Sequence, residues 1–393
     1  MTFDATEDPT PSLCVDCARH PSLKRVIHDD SVIGLCAFCE RSDVEVRNPD
    51  QPEPMVMLMR SLIRFYWDEF SYNGHWGGDS VLDLFTDPDN PVVTRAVSDT
   101  HHDDFDHLLQ HPTYPDVDKG VALYAGSDAE GVRGLNRAIA RTTPASFRAL
   151  QRRLLIENFF DVEPALEALI DPFLDDIVVE LPEGDLWRRA RRGQKAVFQR
   201  HDGGWETTVV RQPWRDHEIA APSPLKAGVG RLNRGGVSML YLASDTYTAI
   251  AEIRPHPGHY VSVGGFKSNA RIRLADFNPD IALFSTSDER LDLYTTIQAF
   301  DRLMSLPVTP EEKTPYLLTQ LLAEILLKRG FDGVQFRSSV STGRNICIFR
   351  PDKFTFAEGY SEVRRVMSVV YDAPSVPSTD QPGPDDLVLE GQD

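Results

Sequence analysis

Residues 228–255 read GVGRLNRGGVSMLYLASDTYTAIAEIRP, and the succession of elements inside this stretch decides how the carboxy-terminal half of the chain is built. Gly235-Gly236 predicts a turn, because glycine takes either sign of φ without a steric penalty. The apolar, β-prone run through Leu240-Tyr241-Leu242 predicts a strand that ends near Ala243. Asp245 predicts the cap of a following helix, since its carboxylate can accept a backbone N–H of the first turn that has no partner within the helix. That helix carries Ala249 and Glu252.

Outward from this stretch, the chain after residue 180 alternates short β-rich runs with helical segments. VSMLYLA, HYVSVGGF, ARIRLADF, GVQFRSS and RNICIF read as strands. One helix is well punctuated: Thr314 caps it, Pro315 occupies its first turn and Gly330 ends it. Leu317, Leu318, Leu321, Leu322, Ile325 and Leu326 form its apolar face. Strands and helices mixed without strict alternation predict an α+β domain. Upstream, residues 55–70 place Val56, Leu58, Met59, Leu62, Ile63 and Tyr66 at helical spacing. Residues 144–177 read as helical too, with Phe147, Leu150, Leu154, Leu155 and Phe159 as the buried stripe. The expected organisation is a cysteine module over 1–48, a helical domain over 49–180, an α+β domain over 181–370, and a disordered, proline-rich acidic tail over 371–393.

Composition narrows the function. The chain has 393 residues and a formal net charge of −19, from 41 Lys+Arg against 60 Asp+Glu. Such a surface lacks the basic footprint of nonspecific nucleic-acid binding. No apolar run reaches the roughly 18 residues of a membrane span, and the polar, acidic start is unlike a signal peptide, so a cytoplasmic location is expected. Four of the five cysteines cluster as Cys14-x2-Cys17 and Cys36-x2-Cys39. Two such pairs aim four thiolates at one point, which is the closed tetrahedral ligand set of structural zinc. A site with no open position serves folding and not catalysis.

Several segments, taken in order, resemble the RES domain family. LWRRARRG at 186–193 resembles the family's opening arginine segment, with Arg189 and Arg191 on its two arginines. Gly230-Arg231-Leu232-Asn233, Leu240-Tyr241-Leu242-Ala243 and Ala249-Ile250-Ala251-Glu252 resemble its central loop, strand and helix. DGVQFRSSVSTGRNICIF at 332–349 resembles its ending, with the family serine at Ser338 and the asparagine at Asn345. Leu232, Arg234 and Phe336 depart from the usual phenylalanine, proline and tyrosine, and Arg188 and Ser339 sit beside the matched arginine and serine.

The resemblance implies a fold related to the ADP-ribosyltransferases and an enzyme that takes NAD as substrate and splits its nicotinamide–ribose bond, by hydrolysis, phosphorolysis or transfer of ADP-ribose. Glu252 would stabilise the positive charge that develops on the ribose. Arg189 and Arg231, supported by Arg191, would bind the pyrophosphate, for which arginine forks suit better than lysine. Tyr241 offers a flat face for nicotinamide, and Ser338 and Asn345 complete the site. The basic run at 187–200, six cations without an acid inside an acidic chain, acquires a purpose in this reading. The resemblance further implies a toxin or defence effector restrained by an antitoxin or other inhibitory protein, with a homo-oligomer as the other partnership. A HEPN-like helical region accompanies some RES proteins. Residues 50–165 occupy that place, and Arg95-x5-His101 fits the loose spacing of HEPN ribonucleases, although the acidic charge speaks against an RNA substrate. The rival expectations are ADP-ribosylation of a macromolecule and a non-catalytic binding module of zinc and helices.

Overall fold

The computed structural model describes residues 12–72, 77–94, 137–201, 203, 207–306, 316–370, 373 and 375. At the amino end, the cysteine turns flank helix α1 (Pro21–Asp29) and a hairpin of β1 (Ser31–Gly34) with β2 (Val44–Arg47). Helix α2 (Glu53–Tyr66) buries Val56, Leu58, Met59, Leu62 and Ile63 as its periodicity predicts, with Tyr66 half-buried. Two short helices follow, α3 (Glu69–Tyr72) and α4 (Val81–Phe85). The Arg95/His101 pair, Thr314 and Pro315 lie outside the described residues, as does the tail beyond 375.

Where the sequence reads as one helical stretch, the structure has two helices, α5 (Ala145–Arg153) and α6 (Phe159–Ile170). Arg153 closes the break by donating to the Glu157 carboxylate and to the Asp161 carbonyl. Ending α5 there resets the helical phase. Phe147, Leu150 and Leu154 stay buried, whereas Leu155, expected in the same stripe, is 59% exposed. A periodic pattern says which face is apolar only for as long as the helix runs unbroken.

The remaining elements are β3 (Val178–Leu181), β4 (Leu186–Arg192), the hairpin β5 (Ala196–His201) with β6 (Thr207–Gln212), β7 (Leu240–Ala243), α7 (Thr246–Glu252), β8 (Tyr260–Ser268), β9 (Ile272–Asp276), α8 (Asp288–Ser305), α9 (Tyr316–Lys328), β10 (Gly333–Arg337), β11 (Arg344–Ile348) and β12 (Phe354–Arg365). Eight strands form one mixed sheet in the order β12-β8-β4-β7-β11-β10-β9-β3, with β9 and β10 parallel and the other neighbours antiparallel. The fold is therefore α+β. Its first edge strand, β3, crosses the boundary expected at residues 180/181. Gly330 ends α9 as expected: its φ of 82° lets Phe331 N–H return to the Leu326 carbonyl, the left-handed stop that favours glycine.

The sheet is not uniformly zipped. Neighbouring strands share three to nine register pairs, but β4 and β7 share one, Arg188 with Ala243. The sheet is thus two sub-sheets that part beyond a single junction. On one face α8 and α9 pack through Ile297, Phe300, Leu321, Leu322 and Ile325, and the same apolar cluster continues without interruption into α2, α5 and the cysteine module. The other face buries Trp187, Leu240, Leu242, Phe266 and Ile346 under Ile219. No helix among the described residues is long and apolar enough to cross a membrane.

Phe300 shows how the two regions share one core. Its ring meets Phe147 of α5 at 4.8 Å between centroids and Phe277, just past β9, at 5.2 Å. Phe300→Ala removes both contacts and leaves a cavity, so we expect a loss of ~3–5 kcal/mol. Urea unfolding followed by circular dichroism checks it, and because the core is shared, one transition should move as a whole.

Candidate active site

A cleft of about 540 Å³ opens where β4 and β7 part. Its walls are Arg188, Arg189 and Ala190 from β4 and Tyr241, Leu242 and Ala243 from β7. Glu252, Ile253 and Arg254 close it from the end of α7, with Tyr316 from the start of α9. The volume lies within the ~300–1,000 Å³ usual for small-molecule sites. In a regular strand only alternate side chains share a face: the Arg188 guanidinium lies 5.4 Å from the centre of the Tyr360 ring, while Arg189 turns to the Tyr241 carbonyl of β7.

Glu252 arrives there for local reasons. The Asp245 side chain caps α7 by accepting the Thr248 N–H at 2.9 Å, as its sequence position predicts. Arg254, two residues past Glu252, has φ 45°. Pro255 disfavours the right-handed helical region for the residue before it, so the chain turns away immediately after presenting the carboxylate.

Three residues distant in sequence then meet. Ser338 Oγ donates to Glu252 Oε1 at 2.7 Å, and Asn345 Nδ2 donates to the same oxygen at 2.6 Å. Asn345 is buried and Glu252 exposed. Both bonds fall on Oε1, and Glu252 lines the cleft. Residues 338–343, which carry the serine, lean on the start of α7. Ser341 Oγ lies 3.0 Å from Thr248 Oγ1, and a Cβ at Gly343 would fall 2.1 Å from that hydroxyl and 2.6 Å from Asp245 Oδ2. Only glycine allows so close an approach.

The other predicted residues take more varied positions. Arg189 is half-buried, donates to the Tyr241 carbonyl at 2.8 Å, and has its pKa lowered by burial. Arg231 lines the cleft, yet its fork is directed to the carboxyl end of α8, to the Leu303 carbonyl at 2.9 Å and the Leu306 carbonyl at 2.8 Å. The Tyr241 hydroxyl donates to Asn233 Oδ1 at 2.8 Å and accepts the Leu232 N–H at 3.1 Å, so it pins the 230–233 loop while one side of the ring lines the cleft. Burial pushes the phenol well above its usual range. Beneath it, burial pushes the Cys347 thiol up to about 12, which leaves it without nucleophilic character near neutral pH. Arg191 is not brought to the cleft: it is exposed, stacks on Trp214 at 4.7 Å and donates to the Glu218 carbonyl. Arg188, Arg254 and Tyr316 line the cleft without having been singled out. Arg188 was legible as the neighbour of Arg189, while the other two have no signal in sequence because long-range packing brings them there.

Far from the cleft, the Sγ atoms of Cys14, Cys17, Cys36 and Cys39 lie within 4.8 Å of one another. Cys14–Cys39 and Cys17–Cys36 are 3.8 and 3.9 Å apart, close to the edge of about 3.8 Å of a tetrahedron with ~2.3 Å metal–sulfur bonds. The set fits a metal ion. Arg41 donates to Cys39 Sγ at 3.4 Å and to Cys14 Sγ at 3.8 Å, a cation suited to a cluster of thiolates.

Comparison with known proteins places the carboxy-terminal half. No curated protein matches the chain. Among solved structures, a chain of the M. tuberculosis MbcT-MbcA toxin-antitoxin complex aligns over 51% of this chain and 93% of its own, at 10% identity and a TM-score of 0.28. The model of one family, the RES domain, matches residues 197–367, a span that takes in the 230–233 loop, Tyr241, Glu252, Ser338 and Asn345. The match thus takes in β7, α7 and the carboxylate side of the cleft, while β4, with Arg188 and Arg189, lies before it.

Proposed function

We propose that the protein consumes NAD by breaking its nicotinamide–ribose bond. The observation that carries this reading is the Glu252 carboxylate, anchored through one oxygen by Ser338 and Asn345 and set in the lining of the cleft. As the glycosidic bond lengthens, positive charge gathers on the ribose C1 and ring oxygen. A carboxylate fixed in advance stabilises that charge without reorganising. Nicotinamide leaves with the bonding pair, C1 takes an oxygen from water or phosphate, and a proton is released when that nucleophile is water. Arg188, Arg189, Arg231 and Arg254 all line the cleft and supply positive potential for the pyrophosphate. The Tyr241 ring offers an apolar face to the nicotinamide.

Unrestrained loss of NAD stops redox metabolism, so an activity of this kind fits a toxin or defence effector that a partner protein holds in check. The cysteine module completes the proposal as a structural zinc site: four sulfur ligands fill a tetrahedron and leave no position for chemistry.

Purified protein incubated with NAD should release nicotinamide, with ADP-ribose or its 1-phosphate as co-product according to whether phosphate is present. Glu252→Gln keeps the hydrogen-bonding shape and removes the charge, so kcat should fall by at least about 100-fold. Induced expression of the wild type should arrest growth, and the Glu252→Gln protein should not. Intact NAD under both conditions would sink the reading, and ADP-ribose found on a protein would reassign the acceptor.

For the cysteine module, metal analysis should find about one zinc per chain. A strong chelator should lower the melting midpoint, because binding free energy at such a site is folding free energy. Cys36→Ser should reproduce the chelated state without added chelator.

A further inference from the structure

The turn that presents Ser338 to Glu252 is braced from behind by charges that the proposed chemistry does not use. Arg337 and Arg344 are the last facing pair of β10 and β11, one on each side of the 338–343 turn. Arg337 engages both carboxylate oxygens of Asp301 on α8, with Nε donating to Oδ1 at 3.3 Å. Arg344 donates to Asp276 Oδ2 at 3.1 Å, and Gln335 Nε2 donates to the same oxygen at 2.7 Å. Asp301 is 0% and Asp276 5% exposed, whereas both arginine side chains are about half exposed, at 50% each.

A fully buried carboxylate carries a large desolvation cost, and a well-packed apolar residue would often serve stability as well or better. Burial raises the Asp301 carboxyl while Arg337 opposes the rise. The pair therefore reads as a device for geometry. The next residue on α8, Arg302, points the other way: it donates to the carbonyls of Ile139 at 3.1 Å, Ala140 at 2.9 Å and Thr142. These belong to a 3-10 turn (Ile139–Arg141) and its cap in the amino-terminal region. Arg231, from the cleft, holds the carbonyls at the end of the same helix.

We propose that Asp301 and Arg302 are positioning residues, which make the amino-terminal region part of the scaffold of the Glu252 site. Asp301 ties the Ser338 turn to α8, and Arg302 ties α8 to residues 139–142. Neither touches the cleft. This rests on the reading of the cleft as an NAD site only for its kinetic arm.

The test uses the full chain. Asp301→Asn is chosen because the arginine it releases is half exposed and regains water, whereas removing Arg337 would strand a buried charge. Asp301→Asn should lower kcat for NAD consumption ~100-fold, the size of effect expected when a reacting group is misplaced by about an ångström. KM should stay within about twofold and the melting midpoint should be unchanged. Arg302→Ala should lower kcat in the same direction. Hydrogen–deuterium exchange of residues 338–343 should rise in both variants, while exchange of the β8–β12 pair stays as in the wild type. Wild-type kcat together with unchanged exchange at 338–343 would overturn the proposal, as would a rise in exchange spread over the whole fold. If the wild type does not consume NAD, the functional reading fails, and the exchange measurement alone still decides whether Asp301 and Arg302 hold the turn.

Discussion

The fold depends on a sheet that parts between β4 and β7. Ser244 and Arg344 are backbone-bonded just past the end of the β7–β11 ladder, and antiparallel alternation then turns the Tyr241 carbonyl away from β11 and toward β4. Beyond the single Arg188–Ala243 pair, β4 offers it no ladder partner. A buried carbonyl without a donor is costly, and the Arg189 guanidinium fills that place at 2.8 Å. Arginine suits the position because it stays charged even when burial lowers its pKa. The same side chain that satisfies the broken ladder also sets positive charge in the wall of the crevice. Opening the sheet and charging the cleft are one structural event.

That economy explains what the sequence made legible and what it did not. The Leu240–Ala243 strand, the Asp245 cap and the Gly330 stop are local, and each takes the form its residues dictate. Glu252, Ser338 and Asn345 lie 86 and 93 positions apart along the chain, and no periodicity joins them; they were legible only as ordered segments of a family pattern. The arginines divide according to strand geometry. Alternation turns Arg188 and Arg189 to different partners, the Tyr360 ring for the first and the Tyr241 carbonyl for the second. Arg191 continues the strand past that point and finds Trp214 instead. The Arg231 fork is directed to the end of α8, a helix whose position no local signal reveals.

Charge is also partitioned in a way that composition hides. The chain carries a net −19, yet the cleft collects Arg188, Arg189, Arg231 and Arg254 around one glutamate. Elsewhere among the described residues many cations sit in ion pairs, as in Lys195 with Glu218, Arg234 with Glu324 and Arg290 with Asp176. An acidic exterior around a basic crevice repels polyanions while leaving a small anion a favourable place to enter.

The cysteine module is distant from this crevice but not independent of it. Arg25 of α1 pairs with Asp280, in the turn that leads to α8. Arg64 of α2 donates to Asp292 on α8 at 2.6 Å, and Phe65 packs near Tyr294 of the same helix at 6.0 Å between ring centroids. Alpha8 therefore rests on the amino-terminal helices along its first turns and holds the Ser338 turn and Arg231 near its last. A rigid helix of 18 residues transmits position from one end to the other. The described part of the amino-terminal region is thus joined to the helix that holds the carboxylate site by ion pairs and ring packing, and no cysteine of the module lines the cleft.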